Sequence, residues 1–360
     1  MPTTETTSVP ANQVGTATDD AAFFGHPRGL STLFFTEMWE RFSYYGMRAL
    51  LILFMTAPIT AGGLGFEARD AGVIYATYTA FVYLLSLPGG WIADKFLGLR
   101  RSVFIGGVII MFGHISLALP GIATFYLGLV LVVLGTGLLK PNISALVGQL
   151  YSPDDARRDA GFSIYYMGIN LGAFIAPLVC GTLAQAEWFK AFLMNLGIDP
   201  KGSWHWGFGA AAVGMFLGLV QFVLTGKFLG NAGAAPAPNP NAEEARKAKR
   251  QLILGVGITL AILALIAILG VTNTIQINAD NISAVIGIAY VIVTIGYFGA
   301  LFAQEWTPVE RNRLIVIVVL FVCAAVFWSA FEQAGSSLNL FADRYTNNTL
   351  FGMALSLIHI

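Results

Sequence analysis

Four charged residues lie inside one long apolar segment of the chain. Glu37, Glu40, Arg41 and Arg48 interrupt the run from Leu30 to Met55, which is long enough to cross a bilayer as a single helix. A carboxylate or guanidinium near the middle of such a helix costs about 2.5–3.5 kcal/mol on insertion unless it is paired or faces water. The segment therefore predicts a functional site made of ion pairs.

Three of these charges share one face of the predicted helix. Glu37 and Arg41 are four residues apart, and Glu37 and Glu40 are three apart. One interpretation is a self-neutralised helix in which the pair only makes insertion tolerable. That interpretation leaves the second carboxylate without a counter-ion on its own helix, so we favour a functional role.

A lysine in the fourth apolar stretch is a candidate counter-ion. If that helix enters near Phe125, Lys140 lies about 22 Å along it, a depth similar to that of Glu37 and Glu40, about 10–15 Å in from the other side. We expect Lys140 to face a cavity and meet these carboxylates. The alternative is that its long side chain extends toward the interface.

The same counting relates Arg48 to Glu332 in the last apolar stretch. Arg48 is eighteen residues from Leu30, and Glu332 is eighteen from Leu314. Both predicted helices run in the same direction, so the two charges reach the same depth. An Arg48–Glu332 ion pair could gate the outer mouth of a cavity, whereas two independent interfacial charges are the alternative.

Nine apolar stretches have the length of a membrane span. The composition agrees, with 56% hydrophobic residues, 11% charged residues and a mean hydropathy of +0.70. The predicted class is an all-α integral membrane protein. The stretches are 30–56, 68–92, 102–120, 123–150, 160–184, 205–228, 251–270, 283–303 and 312–338.

Basic residues indicate the orientation of these spans. The loops 57–66 and 120–122 carry no Lys or Arg, although 185–204 carries two. By the positive-inside rule the basic loops and the N-terminus are cytoplasmic, and residues 1–22 are expected to be a disordered cytoplasmic tail. The inside residues are Lys95, Arg100, Arg101, Arg157, Arg158, Lys227, Arg246, Lys247, Lys249 and Arg250.

Composition also divides the chain into segments. A six-helix bundle is expected over 23–229, followed by a cytoplasmic linker over 230–250 that starts with a flexible stretch rich in Ala, Pro, Asn and Gly. Residues 251–303 form a predicted hairpin with almost no charge, which suggests scaffolding that faces lipid. Residues 304–360 begin a further bundle.

No enzyme signature is visible. His26, His114, His205 and His359 are scattered, and each of the two cysteines lies in an apolar stretch. No nucleophile motif or phosphate-binding loop is present, and no basic face suggests nucleic acid. We expect no catalytic residue, metal or cofactor.

Three sequence motifs together resemble one transporter family. Glu37–Tyr45 matches the pattern E-x-x-E-R-F-x-Y-Y of the proton-coupled oligopeptide transporters, a branch of the major facilitator superfamily. Gly135–Asn142 is similar to that family's G-T-G-x-x-K-P segment, and Phe162–Gly172 to its F-x-x-x-Y-x-x-I-N-x-G segment. The resemblance covers about residues 25 to 350.

The resemblance implies twelve core helices in two bundles of six, with 251–303 matching an extra hairpin. By that count the last span is core helix 7. The remaining helices are then missing, and the abrupt end over 356–360 suggests a truncated C-terminus.

The resemblance also assigns the candidate site. Arg48 and Lys140 would face the carboxylate of a bound peptide and Glu332 its amine. Tyr45, Tyr83 and Asn170 would line the same cavity, with Tyr75 and Tyr78 as rivals of Tyr83. Trp328 would form the wall of a side-chain pocket, with ordinary packing as the alternative. Proton coupling would use Glu37, Glu40, Arg41 and Glu332.

The function that follows is proton-driven symport of di- and tripeptides by alternating access, across the cytoplasmic membrane. Its partners are the peptide, protons and the lipid bilayer. A carrier of another solute such as nitrate, or a membrane sensor that moves no solute, remains an alternative.

Overall fold

A computed structural model describes residues 21–236, 242–272, 274, 278–346, 349–350 and 353–354. Most of the predicted N-terminal tail, residues 237–241 and the last residues, 355–360, lie outside these ranges. The described chain is almost entirely helical, with one short β-hairpin formed by β1, Thr349–Leu350, and β2, Met353–Ala354.

Twelve α-helices are present in the described part of the chain. They are α1 Gly29–Thr56, α2 Ala68–Leu84, α3 Ser86–Ile92, α4 Leu99–Leu117, α5 Ile122–Gln149, α6 Arg158–Gln185, α7 Glu187–Asn195, α8 Ser203–Thr225, α9 Ala242–Val271, α10 Ala279–Phe302, α11 Pro308–Phe331 and α12 Ser337–Tyr345.

The nine predicted spans all coincide with helices. Eight helical segments of the described chain are long and apolar enough to cross a membrane, with α2 and α3 forming one segment that ends in a π-helical turn at Ala93–Leu97. Helix α1 has a comparable length of 28 residues but carries the four charges described above. The charges of α1 therefore must be neutralised within the protein.

Helix α1 is the most deeply buried element. It packs against α6 and α8, while α4 packs against α5 and α8. Leu50, Leu51, Ile52 and Met55 are completely buried, and so is Glu40. The membrane-spanning charges of α1 are thus enclosed by neighbouring helices instead of facing lipid.

The α9–α11 segment is built differently. The most apolar stretch of each of its helices contains no buried residue. Helix α10 contacts α2 and α11, and its Tyr290 lines a cavity described below. The prediction that this hairpin only faces lipid is therefore incomplete, because one of its residues also lines a cavity.

The segment predicted as a flexible linker is ordered over its first residues. Arg100 donates from Nη2 to the carbonyls of Gly230 and Ala232 at 2.7 and 2.9 Å, and the Gly233 amide donates to Gln149 at 2.8 Å. Helix α9 begins at Ala242, so residues 242–250 belong to the helix and not to the linker. Helix α9 therefore begins earlier than the predicted start of the hairpin at residue 251.

The loop between α5 and α6 is fixed to the start of the chain. Arg157 pairs with Asp155 at 2.9 Å and also donates to the carbonyl of Gly25 at 3.2 Å. The hydrogen bonds from Arg157 hold the pKa of Asp155 below the ordinary value. Tyr151 contacts His26 at 3.0 Å, and burial raises the pKa of Tyr151 to about 12.

Two glycines allow α3 and α5 to approach closely. A Cβ at Gly137 would lie 2.8 Å from the Leu85 carbonyl oxygen, and a Cβ at Gly89 would collide with the Gly137 carbonyl. Small residues at such crossings let helix backbones meet within a membrane. Pro141 lies inside α5 without ending it.

Replacing Gly137 with Val should disrupt this crossing. The new side chain meets backbone atoms that cannot move aside, so we expect destabilisation of about 1–3 kcal/mol, seen as a lower unfolding temperature in detergent. Gly255→Val is the matched control, because nothing lies within 4 Å of a Cβ at that position. Equal unfolding temperatures of the two variants would contradict the packing described.

Candidate functional site

The first cluster of charges is formed by neighbours on α1. Arg41 Nε lies 3.2 Å from Glu37 Oε1 and also donates to Glu40 Oε2. All three side chains are at most 4% exposed. One guanidinium therefore serves two carboxylates, and the second carboxylate has a counter-ion on its own helix after all.

Two tyrosines enclose this cluster, which we call the inner triad (Glu37, Glu40 and Arg41). The Arg41 guanidinium carbon lies 4.9 Å from the centre of the Tyr44 ring. Buried Tyr165 of α6 stands next to the Glu37 carboxylate. Cation–π contact and polar neighbours reduce the cost of burying the guanidinium.

Lys140 does not form the predicted ion pair. No carboxylate in the described ranges lies within 4 Å of its Nζ, which instead sits 4.5 Å from the centre of the Tyr83 ring. The physical reason is that Arg41 already neutralises both carboxylates at short range. Lys140 is half-buried and still lies in the electrostatic field of the inner triad and of Glu332.

The predicted pair between Arg48 and Glu332 is present. Arg48 Nη2 lies 2.6 Å from Glu332 Oε2, and Arg48 Nε donates to the Tyr75 hydroxyl of α2. The two side chains are 8% and 22% exposed. The ion pair of Arg48 and Glu332, which we call the outer pair, connects α1 to the end of α11, and the Tyr75 hydroxyl accepts a further hydrogen bond from Arg48.

Further contacts reinforce the connection between α1 and the end of α11. A 3₁₀ turn, Glu332–Gly335, follows α11, and Gly335 lies against Tyr75 and Arg48. Asn339 of α12 donates to the Ala49 carbonyl at 3.0 Å. The end of α11 is thereby held against α1 and α2 by charge, hydrogen bonding and close packing.

A cavity of about 770 Å³ opens beside the outer pair. Helices α2, α10 and α11 line it, and Tyr83, Trp328 and Glu332, three of the predicted site residues, belong to its wall. Tyr45 lies near the same place, with its ring centre 6.0 Å from the guanidinium carbon of Arg48. Aromatic side chains and one carboxylate therefore line the cavity, and Arg48 and Lys140 contact two of these lining residues, Glu332 and Tyr83.

Asn170 is not part of this assembly. Its Nδ2 donates to the Tyr166 carbonyl at 3.1 Å, and the side chain lines a separate pocket of about 510 Å³ on α6. The opposite face of α6, with Tyr165, Gly168 and Gly172, is the buried one. The prediction that Asn170 shares the cavity of Tyr83 is therefore not met in this conformation.

Nothing in the described ranges suggests a resident metal. They contain no group of three or more His, Cys, Asp and Glu side chains arranged to hold a metal ion.

A comparison with known protein families shows to which family this chain belongs. The sequence profile of the POT family matches residues 100–356, which contain both the Gly135–Asn142 and the Phe162–Gly172 motifs. The chain belongs to the POT family. The resemblance predicted from the motifs is thus confirmed.

Curated relatives support the membership. A protein of Bacillus subtilis strain 168 named uncharacterized transporter YclF is 44% identical over 336 residues, 92% of this chain and 63% of that protein. A di-/tripeptide transporter of Lactococcus lactis subsp. cremoris is 40% identical over 337 residues, 91% and 63% of the two chains. The chain thus spans less than two thirds of the length of these relatives.

Solved structures of POT proteins have the same fold. A mutant of the peptide transporter POT in complex with alafosfalin superimposes with a TM-score of 0.84 at 43% identity, covering 98% of this chain and 67% of that one. A POT family transporter in complex with 5-aminolevulinic acid gives 0.81 at 37% identity, with coverages of 96% and 68%. The predicted major facilitator fold and multi-pass membrane class are confirmed.

Some residues of this POT site escaped prediction. Tyr75 was considered only as a rival of Tyr83, yet both line the cavity, and Tyr75 binds Arg48. Asn339 lies beyond the last predicted span and gave no signal. The spacing of Tyr75 and Tyr78, three residues apart on a helix, could have indicated that both face α1.

The strength of the outer pair can be measured by a double-mutant cycle. Arg48→Gln, Glu332→Gln and the double variant should show a coupling energy of about 1–3 kcal/mol in unfolding experiments, because the pair is largely removed from solvent. The control cycle uses Lys190 and Glu187, which are 2.8 Å apart but 32% and 88% exposed. Exposed pairs contribute little, so coupling equal to that of the control would refute the tight outer pair.

Proposed function

We propose that this protein moves di- and tripeptides together with protons across the cytoplasmic membrane by alternating access. The observation that carries the proposal is the Arg48–Glu332 pair at the edge of an aromatic cavity, with Lys140 close by. Opposite charges on separate helices provide both a binding site for a zwitterion and a contact that a ligand can replace.

The substrate class follows from the chemistry of these groups. A peptide has a carboxylate at one end and an amine at the other, so it requires a cationic and an anionic wall. Arg48 and Lys140 supply the first and Glu332 the second, while Tyr45, Tyr83 and Trp328 provide apolar surface for peptide side chains. Asn170 remains a prediction from the family resemblance, and reaching the peptide would require a different conformation.

The similar proteins support a ligand of this kind. Three are named di-/tripeptide transporters, and two solved structures contain alafosfalin or 5-aminolevulinic acid. Both named ligands carry an amine and an acidic group. They therefore favour a zwitterionic substrate over nitrate, which lacks a cationic end.

Proton coupling is proposed to act on both charge clusters. A proton on Glu332 weakens its attraction to Arg48, and the peptide carboxylate takes its place beside the guanidinium. A proton on Glu37 or Glu40 likewise loosens the hold on Arg41 in the inner triad. The membrane potential adds roughly 2.3 kcal/mol per charge moved for each 100 mV.

We propose a cytoplasmic N-terminus and inner-membrane location from the distribution of Lys and Arg. In this orientation α1 and α11 run outward, so the outer pair lies toward the extracytoplasmic side. Closing the outer pair would then shut the cavity from outside. A sensor that binds peptide without moving it is the second candidate, and it is excluded if uphill uptake is observed.

Neutralising the inner triad tests the proton coupling. Glu37→Gln and Glu40→Gln in the full-length gene product should abolish proton-driven accumulation yet preserve exchange of peptide down its own gradient, because a carboxamide neither gains nor loses a proton near neutral pH. Uptake of labelled dialanine into liposomes is the measurement. Glu187→Gln, which removes an exposed carboxylate, is the control. Unchanged uphill uptake in both triad variants would refute the proposal.

Lys140 offers a test of the substrate assignment. Lys140→Gln should raise the KM for a free dipeptide about tenfold, since one charged partner of the carboxylate is lost. Competition by the same peptide with an amidated C-terminus should be affected much less. Equal loss for both ligands would show that Lys140 does not face the peptide carboxylate.

A further inference from the structure

One side chain of the extra hairpin reaches the cavity beside the outer pair. Tyr290 of α10 belongs to its wall, together with Tyr83 of α2, Trp328 of α11 and Glu332. Among the described residues, Tyr290 is the only side chain of α10 on this wall. The hairpin, which carries no charge over residues 284–300, thus contributes a tyrosine to the candidate site.

Tyr290 lies in the middle of the α10 face that packs against the protein. Residues spaced by four on this helix are less exposed than their neighbours, as expected for one helical face. These partly covered residues are Ile282, Ile286, Thr294 and Phe298. The Phe298 ring lies 5.3 Å from the Phe321 ring of α11, centre to centre, and α10 also contacts α2. Tyr290 completes the series at the same spacing, so its side chain lies on the side of α2 and α11.

The exposure of Tyr290 on this inward face has a local cause. The residue is 48% exposed, although Ile286 and Thr294, one turn to either side, are partly covered. The cavity accounts for the difference, because part of the tyrosine faces open space instead of a neighbouring helix. A tyrosine hydroxyl in apolar surroundings needs polar groups nearby, and Glu332 and Gln333 line the same cavity. The side chain of Tyr290 is therefore open to a molecule in the cavity.

Helix α2 leaves room for such a molecule. Gly72, Ala76 and Ala80 line the cavity at a spacing of four residues, which places them on one face of α2. Small side chains here keep the space between α2 and the aromatic rings open. An aromatic or aliphatic side chain gains free energy from contact with those rings. An acidic side chain would instead come close to the Glu332 carboxylate and be repelled.

We propose that Tyr290 is a specificity-determining residue, which together with Trp328 forms the wall of the pocket that receives a side chain of the bound peptide. The pocket favours aromatic and aliphatic side chains over acidic ones. This inference rests on the proposed function and adds to it the class of side chain that is preferred. It also gives the extra hairpin a role in the choice of substrate.

Uptake of two dipeptides tests this assignment. Tyr290→Ala in the full-length gene product should raise the KM for phenylalanylalanine about five- to tenfold more than the KM for dialanine, since one aromatic contact to the larger side chain is lost. Tyr290→Phe keeps the ring and should retain most of the preference. Tyr297→Ala is the matched control, because this tyrosine of the same helix is 61% exposed and does not line the cavity.

The ratio of the two KM values decides the outcome. Both peptides are measured on the same protein, so a smaller amount of folded protein lowers both maximal rates and leaves the ratio of KM values unchanged. A ratio in Tyr290→Ala equal to that in Tyr297→Ala would overturn the inference.

Chemical labelling tests the position of Tyr290 without reference to transport. In a protein with Cys323→Ser, which removes the exposed cysteine and leaves only buried Cys180, Tyr290→Cys should react with a charged, water-soluble thiol reagent added to both faces of the membrane. Tyr297→Cys should not react, because a thiol that faces lipid is not reached by the reagent and stays protonated. Equal reactivity of the two variants would overturn the position of Tyr290 in the cavity. Labelling of Tyr290→Cys alone, in a protein that accumulates neither dipeptide, would support that position and refute the proposed function.

Discussion

The burial of charge on α1 is the constraint on which the rest of the structure depends. Removing a guanidinium or a carboxylate from water is tolerated only when partners with good geometry replace the water. Arg41 finds two carboxylates on its own helix, and Arg48 finds Glu332 and Tyr75 on other helices. The first arrangement can form inside one helix, whereas the second exists only when α1, α2 and α11 are brought together. The outer pair is therefore a contact that reports the conformation of the protein.

Packing around α1 places the remaining groups. Helix α1 packs mainly against α6 and α8, and its charged residues also meet α2, α5 and the turn that follows α11. The close crossing at Gly89 and Gly137 brings α5 toward the broken α2–α3 segment, and this contact sets Lys140 over the Tyr83 ring. A cation held by an aromatic ring, and not by a carboxylate, stays available to an anionic group of a ligand. The glycines thus contribute to function through the distance between two backbones.

Much of the fold and part of the site could be predicted from the sequence. The spans follow from hydropathy, and the Arg48–Glu332 pair follows from counting, since a helix rises by a constant ~1.5 Å per residue. The partner of Lys140 could not be found in this way, because depth says nothing about which side of a helix faces which neighbour. For the same reason, counting does not show which face of α6 carries Asn170, and its place in the cavity stays a prediction. The start of α9 was missed because its first turns are polar.

We propose that a proton gradient and peptide movement are joined through these two charge clusters. The most direct test is the uptake of labelled dialanine by liposomes that contain the full-length gene product, with an inward proton gradient imposed and then collapsed. We expect dialanine to accumulate above its external concentration, and this accumulation to be lost when the gradient is collapsed. A folded protein that shows no uptake, or uptake indifferent to the gradient, would contradict it.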